Sequence, residues 1–262
     1  MQTVTVLEKL YGSGSPETFE QLYSGLVSGL EVHLSFAGTT NRGWIQLQVS
    51  GEDETAALNL LDREVGLAPS SVDELKKFSV IQGKVVFPNR SNEEIYVDLG
   101  VSSPKTCDVA VSVKRLCAQL TDGKEVPLQR LVGLFCLYDN MPLEIKIVKD
   151  TTEGTRIVEA DLSEAQFARF SEWVGCRFDR LIVLGSLFSD VERAVKLSKS
   201  FRDIINVESL GALEQAVVCK LGTDAVGLIP RLGRYLKYAV LVPFSPKKIL
   251  ETIGGTSLGQ QS

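Results

Sequence analysis

The stretch from Phe78 to Ser163 limits the choice of fold more than any other part of this chain. An apolar run from about Phe78 to Phe87 contains Gly83-Lys84-Val85-Val86 and is followed by an Asn89-Arg90-Ser91-Asn92 turn. Ile95 to Val101 alternates apolar and polar residues, and Val109, Val111 and Val113 alternate again. Leu143 to Asp150 turns through Thr151-Thr152-Glu153-Gly154 into Arg156 to Ser163. Period-two alternation between turn residues predicts half-buried strands. The period changes only between the third and fourth of them, where Leu128, Leu131, Val132, Phe135 and Cys136 recur at helical spacing. Five short strands with one helix inserted before the fourth is the order of a small oligonucleotide-binding barrel.

The flanks read differently, so the fold class is α+β and multidomain. Residues 1–70 predict a βαββα domain. Ser15-Pro16 is a helix start, with Ser15 as cap and Pro16 in the first turn. Phe19, Leu22, Leu26 and Leu30 then share one face, and a second helix spans about Asp53 to Val65. Leu67 to Ser71 is a linker, and 74–163 is the barrel domain. Residues 164–253 begin with a helix from Ser163 to Val174, whose Ser163 and Gln166 form a capping-box pattern. The order βαββαβ follows, with a helix expected from Val226 to Tyr238, which is a ferredoxin-like arrangement. Residues 254–262 are polar and Gly-rich, and a disordered tail is expected.

Charge narrows the functional classes. The chain carries 28 Lys plus Arg against 33 Asp plus Glu, a net charge of −5. A global basic footprint for nucleic acid is therefore absent, and any such site must be local. Residues 1–72 alone hold 9 acidic and 3 basic groups. The five cysteines never approach Cys-x-x-Cys spacing and His33 is the single histidine, so neither a zinc site nor a cofactor is expected. No signal sequence and no membrane span is legible, and a cytoplasmic location is the expectation.

The central strands resemble an S1-type oligonucleotide-binding barrel, a resemblance that implies single-stranded nucleic acid. A second resemblance covers mainly residues 190–250. The run Cys219-Lys220-Leu221-Gly222-Thr223-Asp224-Ala225-Val226-Gly227-Leu228-Ile229-Pro230-Arg231-Leu232-Gly233-Arg234, with Asp203-Ile204-Ile205, Glu208 to Gly211 and Phe244-Ser245-Pro246, resembles the C-terminal signature of an uncharacterised archaeal family, domain of unknown function 2110. That resemblance implies an archaeal cytosolic protein and supplies no catalytic residues. At the level of architecture, a barrel followed by a ferredoxin-like domain is also similar to translation initiation factor 2 alpha subunits, which place a helical domain between the two.

Candidate contact residues follow from charge and aromatic spacing. Lys220 to Lys248 holds six cations and one acid. Arg231, Arg234, Tyr235, Lys237 and Tyr238, with Lys247 and Lys248, can pair with phosphates and stack on bases. The same pattern also suits a solvated helix face. On the barrel, Lys84, Phe87, Arg90, Tyr96, Lys114 and Arg115 fall on or beside the first three strands. The Gly222 to Gly227 turn lacks the Lys and Ser or Thr of a phosphate-binding loop, and Asp224 is expected to cap the following helix. No base and nucleophile stand together, so the chain reads as a non-enzymatic RNA-associated factor of translation or RNA processing. Its partners would be RNA, single-stranded or ribosomal, and a protein facing the acidic N-terminal domain. An adaptor without nucleic acid and a metal-dependent RNA-acting enzyme are the alternatives.

Overall fold

The computed structural model describes residues 1–86, 90–101, 106–149, 158–255 and 258. The chain starts with β1 (Gln2–Lys9), α1 (Pro16–Leu26), β2 (Val32–Thr39), β3 (Trp44–Gly51) and α2 (Glu54–Glu64). The strands form an antiparallel sheet in the order β1-β3-β2. Ser15 Oγ accepts from Thr18 N at 3.3 Å and Pro16 occupies the first turn, so α1 starts where the sequence places it. Its buried face differs from expectation. Phe19 and Tyr23 point into the core with ring centroids 5.9 Å apart, while Leu22 is 51% exposed. The aromatic pair at i and i+4 outcompetes the aliphatic stripe because it removes more apolar area from water.

Five strands then close a barrel: β4 (Val80–Val86), β5 (Glu94–Asp98), β6 (Asp108–Ser112), β7 (Pro142–Lys149) and β8 (Val158–Leu162), joined in the order β4-β5-β6-β8-β7. All its pairings are antiparallel except β6 with β8, which run parallel. Closure leaves no free strand edge. Val85, Ile95, Val97, Val109, Val111, Leu143, Ile145 and Ile147 are buried in its core. Two helices separate β6 from β7, not one: α3 (Val113–Leu120) and α4 (Leu128–Phe135). The third strand was expected to reach Val113. Instead, Ser112 Oγ accepts from Arg115 N at 3.4 Å and turns the chain into α3, which buries Leu116, Cys117 and Leu120. The turn Thr151 to Gly154 lies outside the described residues, as does Phe87.

The remaining chain forms α5 (Glu164–Gly175), β9 (Arg180–Leu184), α6 (Phe188–Leu197), β10 (Ile204–Ser209), β11 (Glu214–Cys219), α7 (Ala225–Leu232), β12 (Val240–Phe244) and α8 (Pro246–Ile253). The sheet order is β10-β11-β9-β12, with neighbours antiparallel. Ser163 caps α5 by accepting from Gln166 N at 3.0 Å. The reciprocal half of the capping box does not form, because Gln166 Oε1 accepts from Glu144 N at 3.2 Å. α7 ends at Leu232 rather than Tyr238: Gly233 caps it, and the chain passes through turns that still bury Leu236.

Both faces of this sheet are covered. Leu181, Val183, Val217 and Cys219 share a core with residues of α6 and α7. Ile182, Leu184, Ala216, Val242 and Phe244 join the barrel core instead. A chain of edge-on rings makes the join, with Phe135 of α4 5.3 Å from Phe170, Phe170 6.0 Å from Trp173 and Trp173 5.2 Å from Phe244. Leu258, placed by sequence in a disordered tail, is buried against this core. Among the described residues, no helix is long and apolar enough to cross a membrane.

Candidate interface at the three-domain junction

Lys84 was expected on the outer wall of the barrel, available to RNA. Alternation does turn it out of the barrel interior, but the other two domains cover it. Its Nζ donates to Glu8 Oε2 and Glu214 Oε1, each at 2.7 Å. Glu8 lies one residue before the end of β1, Lys84 sits on β4 and Glu214 opens β11, so each domain supplies one member. Tyr11 Oη also donates to Glu214 Oε1, and Ala212 N donates to Glu8 Oε1 at 2.7 Å. Burial alone would lower the Lys84 pKa, but the two carboxylates outweigh it and hold it above the ordinary value. Burial raises the Glu214 pKa, which Lys84 only partly offsets. Two carboxylates therefore share one ammonium, with Glu214 fully buried and Glu8 only slightly exposed.

A second buried cluster joins the N-terminal domain to the barrel. Asp98 Oδ2 accepts from Lys9 Nζ at 2.9 Å and from the indole N–H of Trp44 at 2.8 Å, while Asp98 Oδ1 accepts from Gly100 N at 2.9 Å. Arg42 reaches Asp98 at 3.5 Å and pairs with Asp108 through both terminal nitrogens. Burial keeps the Lys9 pKa below its ordinary value despite Asp98. The end of the barrel wall that carries Lys84, Asp98 and Asp108 is thus closed by the N-terminal domain. Trp44, 1% exposed, closes it together with Lys9 and Arg42.

The other expected contacts divide into tied and free cations. Arg115, in the first turn of α3 and not at a strand end, bonds Asp161 at 3.0 Å and lies 3.5 Å from Glu159. Arg231 bonds Asp203 at 2.6 Å. Arg90 stacks 5.2 Å from the centroid of the Tyr96 ring, and Tyr96 Oη donates to Glu94 Oε2 at 3.1 Å. Lys114, Arg234, Lys237, Lys247 and Lys248 are exposed and form no ion pair among the described residues. Tyr238 is 77% exposed and Tyr235 46%.

These free groups do not form one patch, as the sequence suggested, because the sheet separates them. Arg234, Tyr235, Lys237 and Tyr238 follow α7 on one side. Lys247 and Lys248 lie in the first turn of α8, whose Ile249 and Ile253 pack on the other side. The starts of α7 and α8 converge on Asp179, which accepts from Ala225 N at 3.5 Å and Ser245 Oγ at 3.2 Å. Asp224 caps α7 through Val226 N at 2.9 Å, as expected.

Sequence reasoning missed a groove of about 340 Å³ between α4 and the C-terminal domain. Arg130, Tyr138, Ser245 and Lys248 are among its lining residues, and among the described residues no carboxylate lines it. Arg130 also donates to Thr252 Oγ1 at 2.9 Å. The groove brings a barrel cation to a C-terminal one, which period and composition cannot show across a separation of over a hundred residues. A larger cleft of about 1050 Å³ opens between the N- and C-terminal domains, with Gln82 of the barrel at its edge. Among the described residues, no cluster of His, Cys, Asp or Glu could hold a metal ion.

The sequence matches the DUF2110 N-terminal domain over residues 3–71 and the DUF2110 C-terminal domain over residues 178–242. The chain carries both DUF2110 domains. Together they span about half of it, and the closed barrel lies between them. The first match extends the resemblance seen in the C-terminal run to the N-terminal sheet. No curated protein sequence matches the chain significantly. Glu8 belongs to the first DUF2110 domain and Glu214 to the second, so the shared ammonium of Lys84 ties one to the other.

Proposed function

We propose that this DUF2110 protein is a non-enzymatic, cytoplasmic RNA-associated factor of translation or RNA processing, and that RNA lies in the groove between the barrel and the C-terminal domain. The reading rests on one observation: Arg130 of the barrel and Lys248 of α8 line the same groove with Tyr138, and no carboxylate lines it among the described residues. Cations paired with an aromatic ring suit a backbone phosphate and an unpaired base. We assign the middle domain to the S1-like oligonucleotide-binding class, on the strand order 1-2-3-5-4 with strands three and five parallel. The last domain is assigned to the ferredoxin-like class on its antiparallel order 4-1-3-2. Both of its sheet faces are covered, so the open-sheet mode of RNA recognition is not the one proposed.

Fluorescence anisotropy with a labelled single-stranded oligoribonucleotide tests this. Arg130→Glu and Lys248→Glu should each weaken binding and lower the slope of log affinity against log salt by about 0.7 to 1. Affinity and salt slope unchanged in the double variant would refute the groove. A protein-adaptor role is the second reading, favoured by the acidic N-terminal region and by the closure of the barrel wall at Asp98.

A further inference from the structure

The large cleft has a different chemistry from the RNA groove. Its lining includes Glu8 and Glu64 and, among the described residues, no Lys, Arg or His. The nearest cation of the junction, Lys84, is already engaged by Glu8 and Glu214 and leaves that trio with one surplus negative charge. Three buried polar atoms there have no hydrogen-bond partner among the described residues: the Tyr23 hydroxyl, Gln215 Oε1 and Glu214 Oε2. Tyr23 and Gln215 both line the cleft, and they are 1% and 0% exposed.

The amide orientation of Gln215 is fixed. Its Nε2 faces the carbonyls of Ser186, Gly211 and Ala212 at 3.2–3.5 Å, so the vacant atom is an acceptor. Glu214 Oε2 is an acceptor as well. Burial, with the charges of Glu8 and Glu214 added, raises the Tyr23 pKa, so its hydroxyl keeps its proton. What this floor lacks is N–H donors and positive charge. The walls lack an apolar filler: Leu22 is 51% and Phe188 40% exposed at the cleft. An unmatched buried acceptor costs free energy that a donor from a ligand would recover.

We propose that this cleft binds a small organic cation, a primary amine on an apolar body, with the ammonium directed to Glu8, Tyr23 and Gln215 and the apolar part against Leu22 and Phe188. Its volume suits a single small-molecule ligand. The N-terminal domain supplies Glu8, Leu22 and Tyr23, and the C-terminal domain supplies Phe188 and Gln215. The ligand would therefore bridge the two DUF2110 domains. This inference does not depend on RNA binding.

The test uses the full chain and three probes of one shape: 2-phenylethylamine, 2-phenylethanol and phenylacetate. Binding is followed by NMR titration at millimolar concentrations. The amine should bind at least about tenfold more tightly than the alcohol, and the acid should not bind. Phe188→Ala, at an exposed position, should weaken amine and alcohol alike. Tyr23→Phe should weaken the amine selectively while leaving thermal stability unchanged or raised, because it deletes an unpartnered hydroxyl. If all three probes fail to bind, if alcohol or acid matches the amine, or if Tyr23→Phe leaves the amine affinity unaltered, the proposal is overturned.

Discussion

Replacing Lys84 with Met keeps most of the side-chain volume and deletes the ammonium. Glu8 Oε2 and Glu214 Oε1 each lie 2.7 Å from Nζ, so they are no more than about 5.4 Å apart. At an effective dielectric constant of about 20, two carboxylates about 5 Å apart repel by roughly 3 kcal/mol. Breaking a buried ion pair by removing one partner costs about 3–5 kcal/mol, the same range. The Lys84→Met protein should lose that much stability at about pH 8. Acid should restore part of it. With Lys84 gone, the main influence that holds the raised Glu214 pKa down is lost, so the folded state binds more protons than the unfolded one and stability rises as pH falls. The stabilisation by Lys84 in the native protein has no such window: its folded pKa is raised, so its contribution is fully present below about 10.4 and lost only as pH rises through the folded value. The gap between the proteins should therefore narrow from about pH 8 to about pH 5. Urea unfolding followed by tryptophan fluorescence measures it, because Trp44 sits at the first junction and Trp173 in the second. A loss under about 1 kcal/mol, or a gap that does not change with pH, would refute the account.

Two further outcomes follow from the same region. Burial raises the Glu214 pKa, so the native protein should gain stability as pH falls through that folded value toward about 4.3, and Glu214→Gln should flatten this slope in thermal melts across acidic pH. Gly12 has φ +59°, and a Cβ there would stand 2.1 Å from the carbonyl oxygen of Gly185, so Gly12→Ala must part the N- and C-terminal domains locally. It should cost about 2 kcal/mol or more in urea unfolding, and a native-like midpoint would show that the contact is dispensable.

Local signals in the sequence were strong wherever one short motif settled the outcome. Ser15-Pro16 started α1, Ser163 capped α5 and Asp224 capped α7. Most of the barrel strands and the chain succession of elements in the last domain followed from alternation and turn residues. The same Ser-Pro signal stands at Ser245-Pro246 and starts α8. There the adjacent Lys247 and Lys248 read as surface charge, which masks the helical signal. Ser112 likewise caps α3, hidden because Val113 continued the apolar alternation. Lys84 failed for a different reason. Period two reports which way a side chain leaves its own sheet, and an outward lysine is normally solvated. Its partners lie 76 and 130 residues away, and only the packing of the domains brings them to it. The groove of Arg130 and Lys248 was illegible for the same reason.

The shared ammonium also bears on how this protein can be taken apart. A fragment ending after α2 would keep Glu8 without its lysine, and one beginning at β9 would keep Glu214 alone. Each piece would present a naked acid on a surface shaped to be covered. The two terminal segments are thus poor candidates for shuffling into other proteins or for expression by themselves. They should persist through evolution and in the laboratory only as a set, with the cylinder between them carrying the charge that both require.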